Sequence, residues 1–249
     1  MTRIASHRGG TLEFGDSTPT GFRATARMPL DEVEFDLHPT RDGAIMVHHD
    51  ATLDRTTDTA GAIAELSEAD VRRAVINYSA GEHPLSLTEL CAIYAPSSVE
   101  FRCEIKPGSN GRAYRDFVPG VIATLEREGM LARTTFSSFL LETLEELGAA
   151  STRPRLWLVS PPVLRQLGLT AVAELLSARG IDEIGINIDD ADAELMAAFS
   201  AAGIQFGCWA AHTTPQIEKA LAMGVKVFTT DRPTLAIAIR NRITEERPV

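Results

Sequence analysis

Length, composition and charge already exclude several classes of protein. The chain has 249 residues and a formal net charge of −10 at pH 7, and its 44% hydrophobic content is typical of a folded globular chain. The acidic balance argues against nucleic-acid binding, because a phosphate backbone needs a basic protein surface. No apolar run approaches the ~20 residues that a membrane-spanning helix requires, so no membrane span is predicted.

The N-terminal segment and the cysteines predict a cytoplasmic location. Residues 1–10 carry charged and polar side chains and lack the apolar run of a secretory signal peptide. The three cysteines, Cys91, Cys103 and Cys208, are an odd number without the CxxC spacing of a zinc site. They also give no disulfide framework, and we therefore predict buried, reduced thiols.

Short apolar or β-branched runs alternate with amphipathic stretches along most of the chain. Eight runs are predicted as strands: residues 3–6, 32–37, 99–105, 134–137, 156–159, 183–188, 205–210 and 226–229. Five stretches are predicted as helices: residues 117–128, 140–147, 163–179, 191–202 and 215–222. A glycine falls where a helix should end in each of five places: Gly129, Gly148, Gly180, Gly203 and Gly224.

Eight strand–helix units in about 250 residues predict a TIM (β/α)₈ barrel. The alternative is a doubly wound open sheet, which usually has a Gly-rich phosphate loop after its first strand. Here the first strand is followed by His7-Arg8-Gly9-Gly10, which fits neither GxGxxG nor a Walker loop. More than fifty residues separate the second strand from residue 99. We therefore predict one domain, residues 1–249, with an inserted segment at about 44–96, near the end of the barrel where active sites lie.

The second predicted strand carries two carboxylates on one face. Because side chains alternate along a strand, Glu34 and Asp36 point one way and Val33, Phe35 and Leu37 the other. In a closed barrel the helix-facing side is apolar, so the carboxylates must face the interior or its mouth. Two anions in that place repel each other unless a cation or a proton joins them. The alternative is an exposed edge strand with its polar residues outward.

The third predicted strand repeats this arrangement. Arg102, Glu104 and Lys106 share a face near the end of the strand. The three carboxylates Glu34, Asp36 and Glu104 offer only oxygen ligands, which suit one hard divalent cation, Mg²⁺ or Ca²⁺. A zinc site would call for more His or Cys ligands. The alternative is a lattice of salt bridges among these five side chains with no metal.

Histidines and an arginine lie beside these strands. His7 and Arg8 follow the first strand, where an imidazole suits proton transfer and a guanidinium matches phosphate oxygens. After the short strand at residues 44–47, alternation sends His48 and His49 to opposite faces, so one of them enters the site. Trp209 ends the seventh strand and could wall a pocket. The other histidines have no expected part in the chemistry: His38, a structural or rim residue, and His83 and His212, which lack useful charged neighbours.

These motifs, taken together and in order, resemble the glycerophosphodiester phosphodiesterase family. Acidic ligands for a dication, cationic groups for an anion and two histidines for proton transfer are the set that phosphoester cleavage needs. The matching pieces are His7-Arg8-Gly9, Glu34-Phe35-Asp36, His49-Asp50 with its continuation to Thr57, Glu104-Ile105-Lys106, Trp209 and Thr230-Asp231-Arg232-Pro233. The stretch from His49 to Thr57 is the most specific of them.

The resemblance implies a TIM barrel with a small insertion after the second strand, and hydrolysis of glycerophosphodiesters to glycerol 3-phosphate and an alcohol. It implies that a neighbouring glycerol hydroxyl attacks phosphorus to give a cyclic phosphate, which water then opens. It also implies these roles: His7 and His49 as the acid–base pair, Arg8, Lys106 and Trp209 in substrate binding, and Glu34, Asp36 and Glu104 as ligands of one divalent cation. Which histidine acts first as the base stays open.

Two positions depart from the family pattern. Asp16-Ser17 stands where relatives usually have Glu-Asn, and His212 stands where they often have Asn. Two alternatives therefore stay open: a phospholipase-D-like lyase that releases a cyclic phosphate from lysolipids, and a non-catalytic phosphate-binding homologue. The expected partner is a small-molecule glycerophosphodiester. The head group, the physiological metal and the oligomeric state are not predicted from the sequence.

Overall fold

Eight parallel strands close into a barrel in the computed structural model, which describes residues 1–245. With one additional strand, β3, the strands are β1 (Arg3–His7), β2 (Glu32–Pro39), β3 (Ile45–Val47), β4 (Glu100–Ile105), β5 (Thr134–Ser138), β6 (Arg155–Val159), β7 (Glu183–Asn187), β8 (Gln205–Trp209) and β9 (Val227–Thr230). Strand β1 pairs with β2 on one side and with β9 on the other, which closes the sheet. The TIM barrel predicted from the sequence is confirmed.

Helices cover the outside of the barrel. They are α1 (Thr11–Phe14), α2 (Pro19–Thr25), α3 (Glu68–Val71), α4 (Leu87–Tyr94), α5 (Phe117–Arg127), α6 (Leu141–Ala150), α7 (Pro161–Ala178), α8 (Ala193–Ala201), α9 (Thr214–Met223) and α10 (Pro233–Glu245). Single 3₁₀ turns lie at Ile63–Glu65 and Leu131–Arg133. None of the helices in residues 1–245 is long and apolar enough to cross a membrane.

Alternation along β2 divides its side chains as predicted. Phe35 lies in the hydrophobic core, with its ring 4.8 Å from that of Phe101 on β4 in an edge-to-face arrangement. Tyr94 of α4 packs edge-on against the same Phe101 ring, at 5.5 Å between centroids. The apolar face of β2 is therefore covered by a helix, and its polar residues point into the barrel.

The segment between β2 and β4 has a small core of its own. Strand β3 pairs with the end of β2 in the antiparallel sense, and a separate apolar cluster lies beyond it. Its buried members are Met46, Leu53, Ile63, Val71 and Ala74. Ser67 and Ser86 form capping boxes at the starts of α3 and α4. This packing holds the segment that carries His49 in place. That the inserted segment extends over about 44–96 remains a prediction. The last four residues of the predicted domain, 246–249, lie outside the described part of the chain.

The interior of the barrel near the N-terminal ends of the strands contains charged side chains. The Arg102 guanidinium turns away from Glu104 and donates to Glu32 Oε2 (2.7 Å) and Glu183 Oε1 (2.9 Å), all three side chains being buried. Lys226 also pairs with Glu183. The alternative of a salt-bridge lattice was therefore wrong in including Arg102, because Glu32 and Glu183 bind its guanidinium away from Glu104.

Some helix boundaries differ from the prediction. Gly148 was expected to end a helix, but α6 continues to Ala150. A side chain at position 148 would collide with the Arg155 guanidinium, so this glycine serves close packing instead. Helix α7 is broken at Gly168, whose φ is 76°. Helices α1, α2, α3 and α10 were not predicted from the sequence. The three cysteines are buried and unpaired, as predicted.

Candidate active site

Three buried carboxylates meet at the C-terminal end of the barrel. Glu34 and Asp36 extend inward from β2, and Glu104 extends from the neighbouring β4, where it is in register with Asp36. Each offers an oxygen within 4.8 Å of the others. The structure thus brings together all three residues that the sequence pointed to as metal ligands.

Two cations lie against this cluster without reaching every carboxylate. Lys106 Nζ is 2.9 Å from Glu104 Oε1 and 3.2 Å from Asp36 Oδ1, and Arg8 Nε is 3.0 Å from Asp36 Oδ2. Glu34 forms no ion pair with either of them, and its Oε2 lies 3.7 Å from Nε2 of the His7 imidazole. That Glu34 oxygen is buried and accepts no hydrogen bond from a described donor. The salt bridges alone therefore leave the site short of positive charge.

The pKa shifts follow from this imbalance. Burial, together with the charges of Asp36 and Glu104, raises the pKa of Glu34 well above its ordinary value. Burial also raises the pKa of Glu104 to about 7, against the opposing effect of Lys106. Burial disfavours the charge of Asp36 as well, but Lys106 and Arg8 outweigh it and hold the pKa of Asp36 well below its ordinary value. An added cation would remove the repulsion among the three groups.

The donor set fits a divalent cation. Glu34 Oε2 is buried without a hydrogen-bond donor, and it faces the oxygens of Asp36 and Glu104, whose charges are only partly offset by Lys106 and Arg8. A buried polar atom without a partner is costly. All three ligands are carboxylates, which is the preference of Mg²⁺ and Ca²⁺ rather than of zinc. Any such ion would also release protons from the carboxylates with raised pKa.

His7 ends β1 and is held by a carboxylate behind it. Its Nδ1 contacts Asp231 Oδ1, and burial followed by the influence of Arg8 lowers the pKa of His7 although Asp231 raises it. Burial raises the pKa of Asp231, but the contact with His7 outweighs this effect and the pKa is lowered overall. The carboxylate is therefore ionised and can only accept a hydrogen bond. Nδ1 of His7 therefore carries the proton, and Nε2, on the Glu34 side, is free for chemistry.

His212 lies beside this pair, which corrects the sequence analysis. Its Nδ1 accepts a hydrogen bond from the backbone N–H of Asp231 (3.0 Å), and its ring centroid is 5.9 Å from that of His7. His212 was expected to lack useful charged neighbours. That expectation was wrong because β8 and β9 pair side by side, which places His212, just after β8, against Asp231, just after β9.

His49 is held in the same manner from the inserted segment. Its Nδ1 donates to Asp50 Oδ1 (2.5 Å), and burial is the main cause that lowers the pKa of His49. Arg55 and His49 outweigh burial and hold the pKa of Asp50 at about 2. His48 turns the other way, to Thr56 Oγ1 (3.2 Å). As alternation predicted, only one of the two neighbouring histidines enters the site.

His38 takes a structural place behind His49. Its Nδ1 is 2.8 Å from the Tyr114 hydroxyl, and its Nε2 is 3.1 Å from the His49 carbonyl oxygen. Burial lowers the pKa of His38 to about 4, so the ring is neutral near pH 7 and can bridge the two oxygens. This agrees with the expectation of a structural or rim residue.

A cavity of about 200 Å³ joins the two histidines and the acidic cluster. Its polar wall contains His7, Arg8, Glu34, His49, Glu104 and Lys106. Its apolar wall is formed by Phe139, Leu158 and Trp209, with the Trp209 ring edge-on to Phe139 at 6.0 Å and its Nε1 donating to the Gly185 carbonyl (3.3 Å). Trp209 therefore has a fixed orientation at the cavity wall.

Four polar residues that support the site were not assigned roles from the sequence. They are Asp16, Asp50, Arg55 and Asp231, and all of them hold another site residue rather than entering the cavity. Asp50, Arg55 and Asp231 lay inside the motifs that carried the resemblance, and Asp16 lay at a departure from the family pattern. Their positions in or near these motifs were the sequence signal that could have marked them as site residues. The group that each one contacts is known only from the structure.

Comparisons with known proteins agree with this geometry. The family model described as "Glycerophosphoryl diester phosphodiesterase family" matches residues 7–235. A glycerophosphodiester phosphodiesterase from Caldanaerobacter subterraneus subsp. tengcongensis is 24% identical over 244 residues, covering 95% of this chain and 96% of its own. The family-model match spans every residue of the site described above.

Solved structures show the same fold. A protein from Agrobacterium tumefaciens, assigned as a glycerophosphoryl diester phosphodiesterase, is 67% identical, with a TM-score of 0.98 over 99% of this chain and 100% of its own. An Oleispira antarctica phosphodiesterase, solved in complex with the product sn-glycerol-3-phosphate, has a TM-score of 0.86 at 19% identity, covering 96% and 97% of the two chains. The chain therefore belongs to the glycerophosphoryl diester phosphodiesterase family.

Proposed function

We propose that this enzyme hydrolyses glycerophosphodiesters to glycerol 3-phosphate and an alcohol, with a divalent cation and a pair of histidines. One observation carries the proposal. His7 and His49 line the same cavity as the acidic cluster, and each has its Nδ1 held by a carboxylate so that its Nε2 is available for proton transfer. Binding alone would not require a second oriented imidazole, which argues against a non-catalytic homologue.

The cationic side chains would hold the phosphate. Arg8 and Lys106 line the same cavity as the two histidines, and their charges favour the phosphoryl oxygens in the ground state and as negative charge grows in the transition state. Trp209, fixed at the opposite wall, offers an apolar surface for the carbon skeleton of the substrate. We assign these three residues to substrate binding.

The two histidines would move the protons. One neutral imidazole takes the proton of the glycerol 2-hydroxyl, whose oxygen attacks phosphorus, and the other imidazole, as its cation, protonates the departing alkoxide. The product of this step is a five-membered cyclic phosphate and a free alcohol. In the second step the roles reverse, because a water must now be deprotonated and the ring oxygen protonated, and glycerol 3-phosphate forms.

Glu34, Asp36 and Glu104 would hold the cation, Mg²⁺ or Ca²⁺, which supplies positive charge to the phosphoryl oxygens when bound. Arg8 and Lys106 keep Asp36 ionised in advance, so this carboxylate needs no proton release to accept an ion. The product complex of the Oleispira antarctica phosphodiesterase, which shares the fold, supports glycerol 3-phosphate as the product class.

The test is turnover of a panel of glycerophosphodiesters, such as glycerophosphocholine and glycerophosphoethanolamine, with Mg²⁺, with Ca²⁺ and with EDTA. Phosphorus NMR identifies the product. We expect glycerol 3-phosphate with either cation or both, and none with EDTA. Accumulation of a cyclic phosphate from lysolipids would instead establish the lyase, and no turnover of any diester under any condition would refute catalysis.

A further inference from the structure

A continuous chain of alternating charges runs from the acidic cluster to His49. Each member contacts the next, and together they cross from β2 through the β1–α2 connection into the inserted segment. In order, the members are Asp36, Arg8, Asp16, Arg55, Asp50 and His49. Asp16 is the middle of this chain and touches neither the cavity nor the acidic cluster.

Asp16 is shared between two guanidinium groups. Its Oδ2 is 3.2 Å from Arg8 NH1 and 3.3 Å from Arg55 NH2, and only 12% of the side chain is exposed. Its other oxygen accepts a hydrogen bond from the Ser17 hydroxyl (2.9 Å). Both carboxylate oxygens are thus engaged, which restricts the orientation of the group.

The backbone holds Asp16 at a fixed distance from Arg8. The Ser17 N–H donates to the Arg8 carbonyl (3.1 Å), and both residues adopt left-handed backbone conformations, with φ of 56° and 48°. Such conformations are uncommon for residues with a side chain and persist where the surroundings enforce them. Arg8 N–H also donates to the Glu34 carbonyl (3.0 Å), which anchors the turn to β2.

The second half of the chain leads to the imidazole. Arg55 forms a two-pronged contact with Asp50, Nε to Oδ2 at 2.5 Å and NH2 to Oδ1 at 3.2 Å. Asp50 Oδ1 in turn accepts the Nδ1–H of His49. Because the Arg55 side chain is about half exposed (53%), its orientation depends on the two carboxylates that it bridges.

We propose that Asp16 is a positioning residue that couples the phosphate-binding Arg8 to the proton-transferring His49. This inference rests on the proposed function for the roles of Arg8 and His49, and on the geometry for the coupling. Without the Asp16 charge, two guanidiniums would face each other with no anion between them. Arg8 would keep Asp36 as its one ion-pair partner among the described residues. Arg55 would keep its contact with Asp50 but lose the second carboxylate that holds its orientation.

Two measurements separate the effect of Asp16 on Arg8 from its effect on His49. They are steady-state kinetics with a glycerophosphodiester and the competitive inhibition constant (Ki) of inorganic phosphate. For Asp16→Asn we expect the phosphate Ki to rise about tenfold, since a charge-assisted contact to Arg8 is lost, and kcat to fall about fivefold. For Arg55→Gln we expect a fall in kcat of about tenfold with an unchanged Ki. In the variant that carries both Asp16→Asn and Arg55→Gln, kcat should fall only as far as in Arg55→Gln alone. The reason is that the two substitutions affect His49 through the same series of contacts.

Two further variants serve as controls. Glu82, Asp16 and Arg55 all line a second cavity of about 640 Å³, separate from the one that joins the two histidines. Glu82 contacts Thr20 and Arg23 there, so the kinetics of Glu82→Gln should match those of the wild type. Asp16→Glu keeps the charge and should recover most of the activity lost in Asp16→Asn. Wild-type kinetic constants in Asp16→Asn, or multiplicative losses of kcat in the double variant, would overturn the coupling while leaving the proposed function intact.

A spectroscopic signal tests the coupling without turnover. The Nδ1–H of His49, shielded by Asp50, should give a downfield proton resonance in the Mg²⁺-loaded protein, assigned by its absence in His49→Ala. We expect this signal in the wild type and in Glu82→Gln, and a broadened or lost signal in Arg55→Gln and Asp16→Asn. An unchanged signal in both of the latter variants would refute the path from Asp16 to His49, whether or not the wild type hydrolyses diesters.

Discussion

Replacing Asp231 by Asn tests the orientation of His7. The carboxylate of Asp231 accepts from Nδ1 of His7, and both side chains are largely buried, at 13% and 20% exposure. A hydrogen bond to a charged group is worth about 1.5–3 kcal/mol, and each ~1.4 kcal/mol is a factor of ten in rate. Because an amide can also turn its NH₂ toward His7 and favour the other tautomer, we expect kcat to fall by about 10- to 100-fold.

The same substitution should move the pH profile in a defined direction. The Asp231 carboxylate favours the imidazolium of His7 and therefore raises its pKa, against the larger lowering by burial. Removing the negative charge should lower the pKa of His7 further, so the limb of the kcat/KM profile that reports His7 shifts to lower pH.

The assay is the pH dependence of kcat/KM at saturating Mg²⁺ or Ca²⁺, with circular dichroism to confirm folding. Asp189→Asn is the matched control, because Asp189 is exposed at the same end of the barrel and its carboxylate accepts a hydrogen bond from Gln216 Nε2 (2.9 Å), away from His7. A wild-type kcat with an unmoved profile in Asp231→Asn would show that this carboxylate does not orient the catalytic ring.

Three further changes test the metal, the acid–base pair and the barrel interior. Glu104→Gln should weaken binding of Mg²⁺ or Ca²⁺ at least tenfold by calorimetry, and unchanged affinity would remove this residue from the ligand set. His7→Ala and His49→Ala should each lower kcat by about 10²–10⁴-fold at full metal occupancy, and near-wild-type turnover in either would reject its assigned role. Arg102→Ala should cost about 3–5 kcal/mol in urea unfolding, because two buried glutamates lose their shared partner, and a loss below ~1 kcal/mol would contradict that account.

The alternation of side chains made the acidic cluster predictable from the sequence. Glu34 and Asp36 stand two residues apart in a strand, so their common face follows from strand geometry alone. Counting the parallel units predicts that the strand of Glu104 is the barrel neighbour of this strand. The register of Glu104 with Asp36 is seen only in the structure. The alternation of side chains along a strand is set by neighbouring residues, so it can be predicted without knowing how distant segments pack.

Contacts between distant segments could not be predicted in this way. His7 and Asp231 are 224 residues apart and meet because β1 and β9 close the sheet. His212 was taken as isolated because its neighbour Asp231 is reached only through the pairing of β8 with β9. Gly148 has the local signature of a helix end, yet the approach of Arg155 explains its presence within α6. Both cases depend on side-chain packing across elements, which local patterns do not encode.

The two cations beside the three carboxylates have an electrostatic consequence for the order of binding and release. With Glu34, Asp36 and Glu104 ionised, Arg8 and Lys106 leave the group at −1, and a dication changes it to +1. A phosphodiester, with a single negative charge, brings the assembly to electroneutrality. A phosphomonoester product approaches two negative charges at neutral pH and would leave the site with a net negative charge. In the proposed reaction, the charge balance that favours binding of the substrate would therefore also favour release of the product.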